Sequence, residues 1–251
     1  MQLPLLFCIL VEVKPDHFER SCLFMCNIWY LSPSNQSDNV GINGYGTEQD
    51  QMYRLTDAVT PHLDRCGVSF YVADRYLTLA ERCAESNAMK AAYHLALHSN
   101  AGGNGAAYGP IAFYHSGGIK LAEKLVQKLL AAGQQNNRSS NLQQNTSLYE
   151  LRSTTGAACL LEVDFHDSAI GVGFLTSRRA DIAKAIAQAI VAIDGKQWVE
   201  ESADSQTPKA KAAELGLFQP DKNGNYRWSD YLTRGEAAHA LIRLKEIIDR
   251  S

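Results

Sequence analysis

Carboxylate and imidazole side chains stand at three points of the chain where metal-assisted hydrolysis would need them. Glu48 follows a glycine-rich loop, His98 ends an apolar run, and Glu162 interrupts another apolar run. A hydrolytic zinc site needs about three protein ligands, an open position for water and a carboxylate that can move a proton. Glu48 and His98 are therefore candidate ligands. Glu162 is a candidate proton shuttle, because a carboxylate inside a strand is costly to bury without a partner.

A purely structural role is open to each of these residues. Glu48 begins a predicted helix, where a carboxylate stabilises the helix dipole without any metal. A single buried histidine such as His98 is commonly held by hydrogen bonds in a core. Glu162 could instead form an ion pair with Arg152. The spacing of the residues alone leaves these alternatives open.

The elements that must position these residues follow from the apolar pattern. Short apolar runs predict strands at 28–31, 68–72, 94–98, 111–114 and 157–165. Apolar residues spaced by three and four predict helices at 52–63, 77–89, 119–132 and 180–193. This alternation predicts an α/β fold with a mostly parallel, twisted sheet covered by helices on both faces. Such sheets bind ligands beyond the carboxyl ends of their strands.

Composition divides the chain into four parts. Residues 1–24 hold an apolar run that is too short to span a bilayer and has no positive charge before it, so we expect an extension outside the fold. Residues 25–196 form the main domain, and the charged, aperiodic residues 197–207 form a linker. Residues 208–251 predict a small helical C-terminal unit. No membrane span is expected.

Charge and cysteine usage exclude several classes of protein. The formal net charge is −3, so no positive field favours nucleic acid. The glycine-rich runs 41–46 and 102–109 lack the Lys-Ser/Thr ending of a phosphate-binding loop, which argues against nucleotide binding. The six cysteines form no CxxC pair and are expected to be free thiols.

The segments that carry the candidate residues resemble one family in both motif and order. Residues 95–101 (LALHSNA) and 160–165 (LLEVDF) are similar to the metal-ligand strand and the catalytic-glutamate strand of the zinc-dependent N-acetylmuramoyl-L-alanine amidases. Residues 148–152 (LYELR) precede the second strand as a similar segment does in that family. Residues 30–36 (YLSPSNQ), followed by 46–48 (GTE), resemble the opening of one branch of it. The resemblance covers residues 26–195.

This resemblance implies an activity and a set of roles. His98 and Glu48 would bind Zn²⁺, and Glu162 would act as general base toward water and then as general acid toward the leaving amine. The substrate would be the amide bond between N-acetylmuramic acid and L-alanine in bacterial peptidoglycan. Asn100 and Arg152 are candidate substrate-binding residues. The implied location is the cell wall or extracellular space of a bacterium, for wall remodelling or for lysis, with phage-type or non-classical export open.

One departure from the family pattern concerns the third zinc ligand. Residues 33–36 read Pro-Ser-Asn-Gln where the family has Pro-Gly-His-Gly, and an amide oxygen is a poorer zinc ligand than imidazole. Either Gln36 or Asn35 then coordinates weakly, or another residue supplies the third ligand. The favoured candidate is His166, which lies four residues beyond Glu162 and shares its strand face if the strand continues. The alternative for His166 is that it binds substrate or caps a turn. The lost histidine keeps a non-catalytic peptidoglycan-binding protein open as an alternative. A metallocarboxypeptidase-like enzyme is a second alternative.

The C-terminal unit has its own resemblance. Residues 209–244 are similar to a single S-layer homology motif, carried by 213–218 (AELGLF), Trp228 and 232–237 (LTRGEA). Such motifs bind secondary cell-wall polymers, usually as several copies. We expect a wall-targeting unit, and a helical hairpin packed on the main domain is the alternative.

Overall fold

The computed structural model describes residues 27–102, 104–115, 117–200, 212, 215–218 and 234–249. The predicted extension at residues 1–24 lies outside the described residues, as does most of the predicted unit at 208–251. The described strands are β1 (Ile28–Pro33), β2 (Val40–Gly41), β3 (Gly46–Thr47), β4 (Ser69–Val72), β5 (Tyr93–Asn100), β6 (Ile111–Tyr114), β7 (Leu142–Gln144) and β8 (Ala157–Phe165). The described helices are α1 (Glu48–Arg65), α2 (Leu79–Ala88), α3 (Ile119–Ala131), α4 (Tyr149–Ser153), α5 (Ala169–Ser177), α6 (Arg179–Ile193) and α7 (Arg234–Ile248).

Six strands form one sheet in the order β4-β1-β5-β8-β6-β7. Every neighbouring pair is parallel except β6 and β8, which run antiparallel. Strands β2 and β3 form a separate antiparallel pair in the loop after β1. The central strands β1, β5 and β8 therefore end at the same edge of the sheet.

Apolar side chains that alternate along the strands build a core on each face of the sheet. Trp29 and Leu31 of β1 face one side, where they pack in the main core with buried residues of α1, α3 and α6. Tyr30 faces the other side and donates a hydrogen bond to Glu85 of α2 (2.6 Å). Leu151 of α4 packs on that second face as well. The prediction of a mostly parallel sheet covered by helices on both faces is confirmed.

Helix α1 begins at a capped residue beside the sheet edge. Thr47 is the N-cap, and its side chain accepts a hydrogen bond from the backbone N–H of Asp50. Buried Met52, Leu55 and Val59 then form the apolar face that packs on the sheet. The cap fixes Glu48 as the first helical residue, at the carboxyl edge of the strands.

Besides the two-residue strands β2 and β3, three short elements have no counterpart in the sequence prediction. Residues 133–147 are polar and predict a surface loop, yet 142–144 form the edge strand β7 beside β6. Helix α4 has five residues, and α5 lies in an apolar, glycine-containing stretch. The predicted linker also begins inside the packed structure, because Trp198 packs against the main core.

The described residues bear on the membrane-span and cysteine expectations. Within the described residues, none of the helices has the length and apolar character required to cross a membrane. Cys66, Cys83 and Cys159 are buried free thiols.

Candidate functional site

The three central strands bring the predicted site residues to one edge of the sheet. Glu162 of β8 lies directly opposite His98 of β5 in the strand register. Leu97 of β5 pairs with Pro33, the last residue of β1, so residues 34–36 lead away from the same edge. Glu48 enters from the start of α1, and its backbone N–H donates to Asn39 O (2.8 Å). Residues far apart in the chain therefore converge.

Glu48 and His98 are in direct contact. His98 Nδ1 lies 2.7 Å from Glu48 Oε1, and both residues are buried, with exposed fractions of 7% and 1%. Asn39 donates a hydrogen bond to the other carboxylate oxygen of Glu48 (2.6 Å). Burial alone would raise the pKa of Glu48, but its hydrogen bond to His98 and the charge of that residue outweigh burial and lower it. Glu48 is therefore an anion at neutral pH.

The carboxylates around His98 favour the protonated form of its imidazole. Burial alone would lower the pKa of His98, but the surrounding carboxylates, led by Glu150 and Glu48, raise it to about 10. A metal ion that binds the ring nitrogen facing Glu48 must therefore displace a proton.

Gln36 supplies a third polar group at the same point. Its Nε2 lies 3.4 Å from His98 Nδ1, and its Oε1 accepts a hydrogen bond from Asn39 (3.3 Å). The Gln36 side chain is exposed, so the cluster is open to solvent on this side. Asn35 points elsewhere, because its amide donates to Leu77 O (3.3 Å).

Glu162 is the site carboxylate with an unsatisfied oxygen. Its Oε2 is enclosed and has no hydrogen-bond partner. Burial raises the pKa of Glu162 to about 7, against the opposing charge of His98. Arg152, the alternative partner suggested by the sequence, is exposed and lies over the Tyr149 ring at 5.4 Å. Glu162 thus has the character of a proton-transfer group.

His166 is linked to the Glu48–His98 pair through Ser99 and Asn39, which contact both His166 and Glu48. Its Nδ1 lies 2.8 Å from Ser99 Oγ, and its Nε2 lies 3.1 Å from Asn39 Oδ1. Both ring nitrogens are therefore occupied by neighbours that also border Glu48. We leave His166 out of the ligand set on this ground.

The donors fit a divalent cation held by two strong ligands and one weak ligand. The Glu48 carboxylate and the His98 imidazole are ligand types that zinc prefers. Among the described residues, no three His, Cys, Asp or Glu side chains are arranged to hold a metal ion. The Gln36 amide is a further polar donor beside His98, and its oxygen faces His98 Nδ1 if the amide is turned over. An amide oxygen holds zinc less strongly than imidazole does.

Sequence reasoning missed Glu150, a buried carboxylate close to His98. Its Oε2 lies 3.8 Å from His98 Nε2, and its Oε1 lies 3.1 Å from His94 Nε2. Burial alone would raise the pKa of Glu150, but the two histidines hold it well below its usual range. The sequence feature that could have indicated Glu150 is a carboxylate between the apolar residues Leu148 and Leu151, shortly before a buried strand.

A pocket of about 480 Å³ adjoins the cluster. Ile111, one of its lining residues, lies opposite Glu162 on the neighbouring strand. Phe165, another, lies opposite Asn100. Arg138 places its guanidinium 5.3 Å from the Phe165 ring centre at this pocket. The pocket is therefore lined by the strand neighbours of Glu162 and Asn100.

Comparison with known proteins agrees with this architecture. Residues 33–192, more than half of the chain, match the family model described as N-acetylmuramoyl-L-alanine amidase. None of the curated proteins matches the chain significantly.

Solved structures share the fold at low sequence identity. The amidase AmiC2 of Nostoc punctiforme has a TM-score of 0.61 and 21% identity, covering 66% of this chain and 96% of its own. The catalytic domain of CwlV from Bacillus (Paenibacillus) polymyxa var. colistinus has a TM-score of 0.62 and 20% identity, covering 68% and 99%. The catalytic domain of the CD27L endolysin, which targets Clostridia difficile, has a TM-score of 0.56 and 19% identity, covering 66% and 97%.

Proposed function

The chain belongs to the N-acetylmuramoyl-L-alanine amidase family, and we propose that Glu162 and the Glu48–His98 pair form its catalytic centre. Its reaction is the hydrolysis of the amide bond between N-acetylmuramic acid and L-alanine in peptidoglycan. The observation that carries the assignment of the centre is the 2.7 Å contact between His98 Nδ1 and Glu48 Oε1. Glu162, with an enclosed and unpartnered oxygen, lies opposite that histidine.

The family is zinc-dependent in general, and we propose that this chain would hold Zn²⁺ through Glu48, His98 and the amide oxygen of Gln36. When bound, the ion supplies Lewis-acid activation of water and of the amide carbonyl. Glu48 would supply a charged carboxylate oxygen and His98 an imidazole nitrogen. Gln36 would supply only a neutral amide oxygen. We therefore expect weaker zinc binding than at a site with three strong ligands.

Glu162 would move the proton in both halves of the reaction. Its carboxylate takes a proton from the attacking water as the water oxygen bonds to the carbonyl carbon. The same proton then passes to the amide nitrogen as the carbon–nitrogen bond breaks. The products are the free carboxyl group of the muramic acid lactyl arm and the free amine of L-alanine.

The groove beside the centre suits a glycopeptide substrate. Asn100 ends β5 opposite Phe165, which lines the pocket, and Arg152 is exposed on the short helix before β8. Both can contact a substrate that lies across the carboxyl edge of the sheet, and we propose them as substrate-binding residues.

We propose that residues 208–251 direct the enzyme to secondary cell-wall polymer. The support is the S-layer homology resemblance, together with helix α7 in the described part of that unit. The enzyme would then act in the cell wall or extracellular space, in wall remodelling or in lysis.

Purified full-length chain tests the assignment of the centre. With peptidoglycan and zinc, new L-alanine amino groups and free muramic acid carboxyl ends should be released. Glu162→Gln should abolish this release while zinc stays bound, because Gln keeps the shape of the side chain but cannot carry the proton. Glu85→Gln is the matched control, because Glu85 accepts hydrogen bonds from Tyr30 and Tyr71 instead of contacting the Glu48–His98 pair, and this variant should keep activity.

Two results would contradict the assignment. Absence of release with any divalent metal would favour a non-catalytic peptidoglycan-binding protein. Release of single amino acids from a trimmed peptide, without free muramic acid ends, would favour a carboxypeptidase-like reaction.

A further inference from the structure

Glu150 is a buried carboxylate that the catalytic proposal does not use. It has an exposed fraction of 3% and sits on the five-residue helix α4, directly before β8. Its Oε1 accepts a hydrogen bond from Ser32 Oγ (2.5 Å) and lies 3.1 Å from His94 Nε2. A carboxylate buried this deeply needs such partners to be tolerated. These contacts account for one of its two oxygens.

The second oxygen of Glu150 faces His98. Oε2 lies 3.8 Å from His98 Nε2, which is ion-pair distance but longer than a hydrogen bond. The same Nε2 is enclosed and has no hydrogen-bond partner. The two nitrogens of His98 thus face two different carboxylates, with Glu48 on the Nδ1 side and Glu150 on the Nε2 side.

The surroundings of Glu150 hold it in this position. Arg82, which is fully buried, donates to Ser32 Oγ (3.3 Å) on one side of the carboxylate. On the other side, His94 Nδ1 lies 3.1 Å from Ser86 Oγ, and the His94 ring stacks on Tyr30 with centroids 5.1 Å apart. The carboxylate is therefore held by a packed polar network. A small shift of the Glu150 or the His98 side chain would shorten their 3.8 Å separation to hydrogen-bond distance.

We propose that Glu150 is a positioning residue that accepts the Nε2–H of His98 and so leaves Nδ1 as the metal-facing nitrogen. This inference rests on the proposed function, because it concerns the same centre. A histidine that binds a metal almost always donates its other ring N–H to a carboxylate or carbonyl, which fixes its tautomer and raises its donor strength. In this chain the effect matters more than usual, because the third ligand, Gln36, is weak.

Zinc affinity separates this role from a purely structural one. In the full chain, Glu150→Gln keeps the size of the side chain but removes its charge. We expect zinc binding, measured by competition with a chromophoric chelator, to weaken about 10- to 100-fold. Glu85→Gln is the matched control, because it makes the same chemical change at a partly buried carboxylate that touches Tyr30 and Tyr71 instead of His98. Its zinc affinity should equal that of the unmodified chain.

A structural role for Glu150 would lower the stability of the metal-free protein without changing the zinc affinity of the folded fraction. Thermal unfolding of the metal-free variants measures this separately. If Glu150→Gln does not fold, Ser32→Ala tests the same idea, because it removes the 2.5 Å hydrogen bond that holds the carboxylate. We expect several-fold weaker zinc binding from Ser32→Ala.

The protonation of His98 in the zinc-loaded, unmodified chain gives a test that needs no variant. Nitrogen-15 NMR should find the proton on Nε2 and none on Nδ1. A proton on Nδ1, or equal zinc affinity in Glu150→Gln and the unmodified chain, would overturn this inference and leave the roles of Glu48 and Glu162 standing. Absence of zinc binding by the unmodified chain would overturn both proposals.

Discussion

Introducing a histidine at position 36 is the sharpest test of the proposed ligand set. Gln36 is exposed, and its Nε2 lies 3.4 Å from His98 Nδ1. The Nε2 atoms of glutamine and histidine stand the same number of bonds from Cα, so Gln36→His places an imidazole nitrogen at a similar reach. The change removes one exposed hydrogen bond with Asn39 (3.3 Å). We therefore expect the free energy of unfolding to change by less than about 0.5 kcal/mol.

The gain in zinc binding can be estimated from the ligand count. A zinc site with four strong ligands contributes about 10–16 kcal/mol, so one strong ligand is worth about 2.5–4 kcal/mol. The amide oxygen of Gln36 already supplies part of this. We expect Gln36→His to add about 1.4–2.8 kcal/mol, which is about 10- to 100-fold tighter binding.

Chelator competition measures this gain directly, and the zinc concentration that gives half-maximal peptidoglycan hydrolysis should fall in parallel. Asn35→His is the matched control, because the Asn35 side chain points to Leu77 O and its replacement should leave the zinc affinity unchanged. Unchanged affinity in Gln36→His would refute the ligand set. Tighter binding in Asn35→His alone would move the third ligand to position 35.

Two further changes test the parts of the structure that border the centre. His166→Ala removes contacts to Ser99 and Asn39 and should lower the free energy of unfolding by about 1–3 kcal/mol in urea titration. The zinc affinity of this variant should change less than about threefold. A hundredfold loss of zinc affinity would show that His166 is a ligand. Gly41→Ala would bring a Cβ to 2.6 Å from Tyr45 Cδ1 and 2.9 Å from His166 O, so we expect a loss of about 1–3 kcal/mol in the same titration, which an unchanged midpoint would contradict.

The fold was predictable wherever local pattern and tertiary role agree. The strand predicted at 157–165 matches β8 because that run is apolar and buried on both faces. Edge strand β7 was missed because Gln143 and Gln144 are exposed and carry no apolar alternation. Its strand identity comes only from pairing with β6, a contact that no local pattern reports.

The site was predictable only in part, for a related reason. Glu48, His98 and Glu162 lie on segments with a family resemblance, and the structure brings them together. The argument for His166 required the strand to continue as far as residue 166, but β8 ends at Phe165 and Ser168 caps α5. Glu150 was missed because its position in the site depends on a hydrogen bond from Ser32, which is 118 residues away in sequence.

The charge balance of the cluster argues for a bound cation and against a purely structural protein. Glu48 and Glu150 face the two nitrogens of His98, and Glu162 lies opposite it with an unpartnered oxygen. An enclosed carboxylate oxygen without a hydrogen-bond partner destabilises a fold, so a protein that only bound wall polymer would be more stable without Glu162. Such destabilisation is concentrated where chemistry requires it. A divalent ion at the Nδ1 side of His98 would balance the excess negative charge. In the proposed ligand set, Gln36 would be a weak neutral ligand of that ion, and the carboxylate of Glu150 behind His98 would offset this by strengthening the imidazole as a ligand.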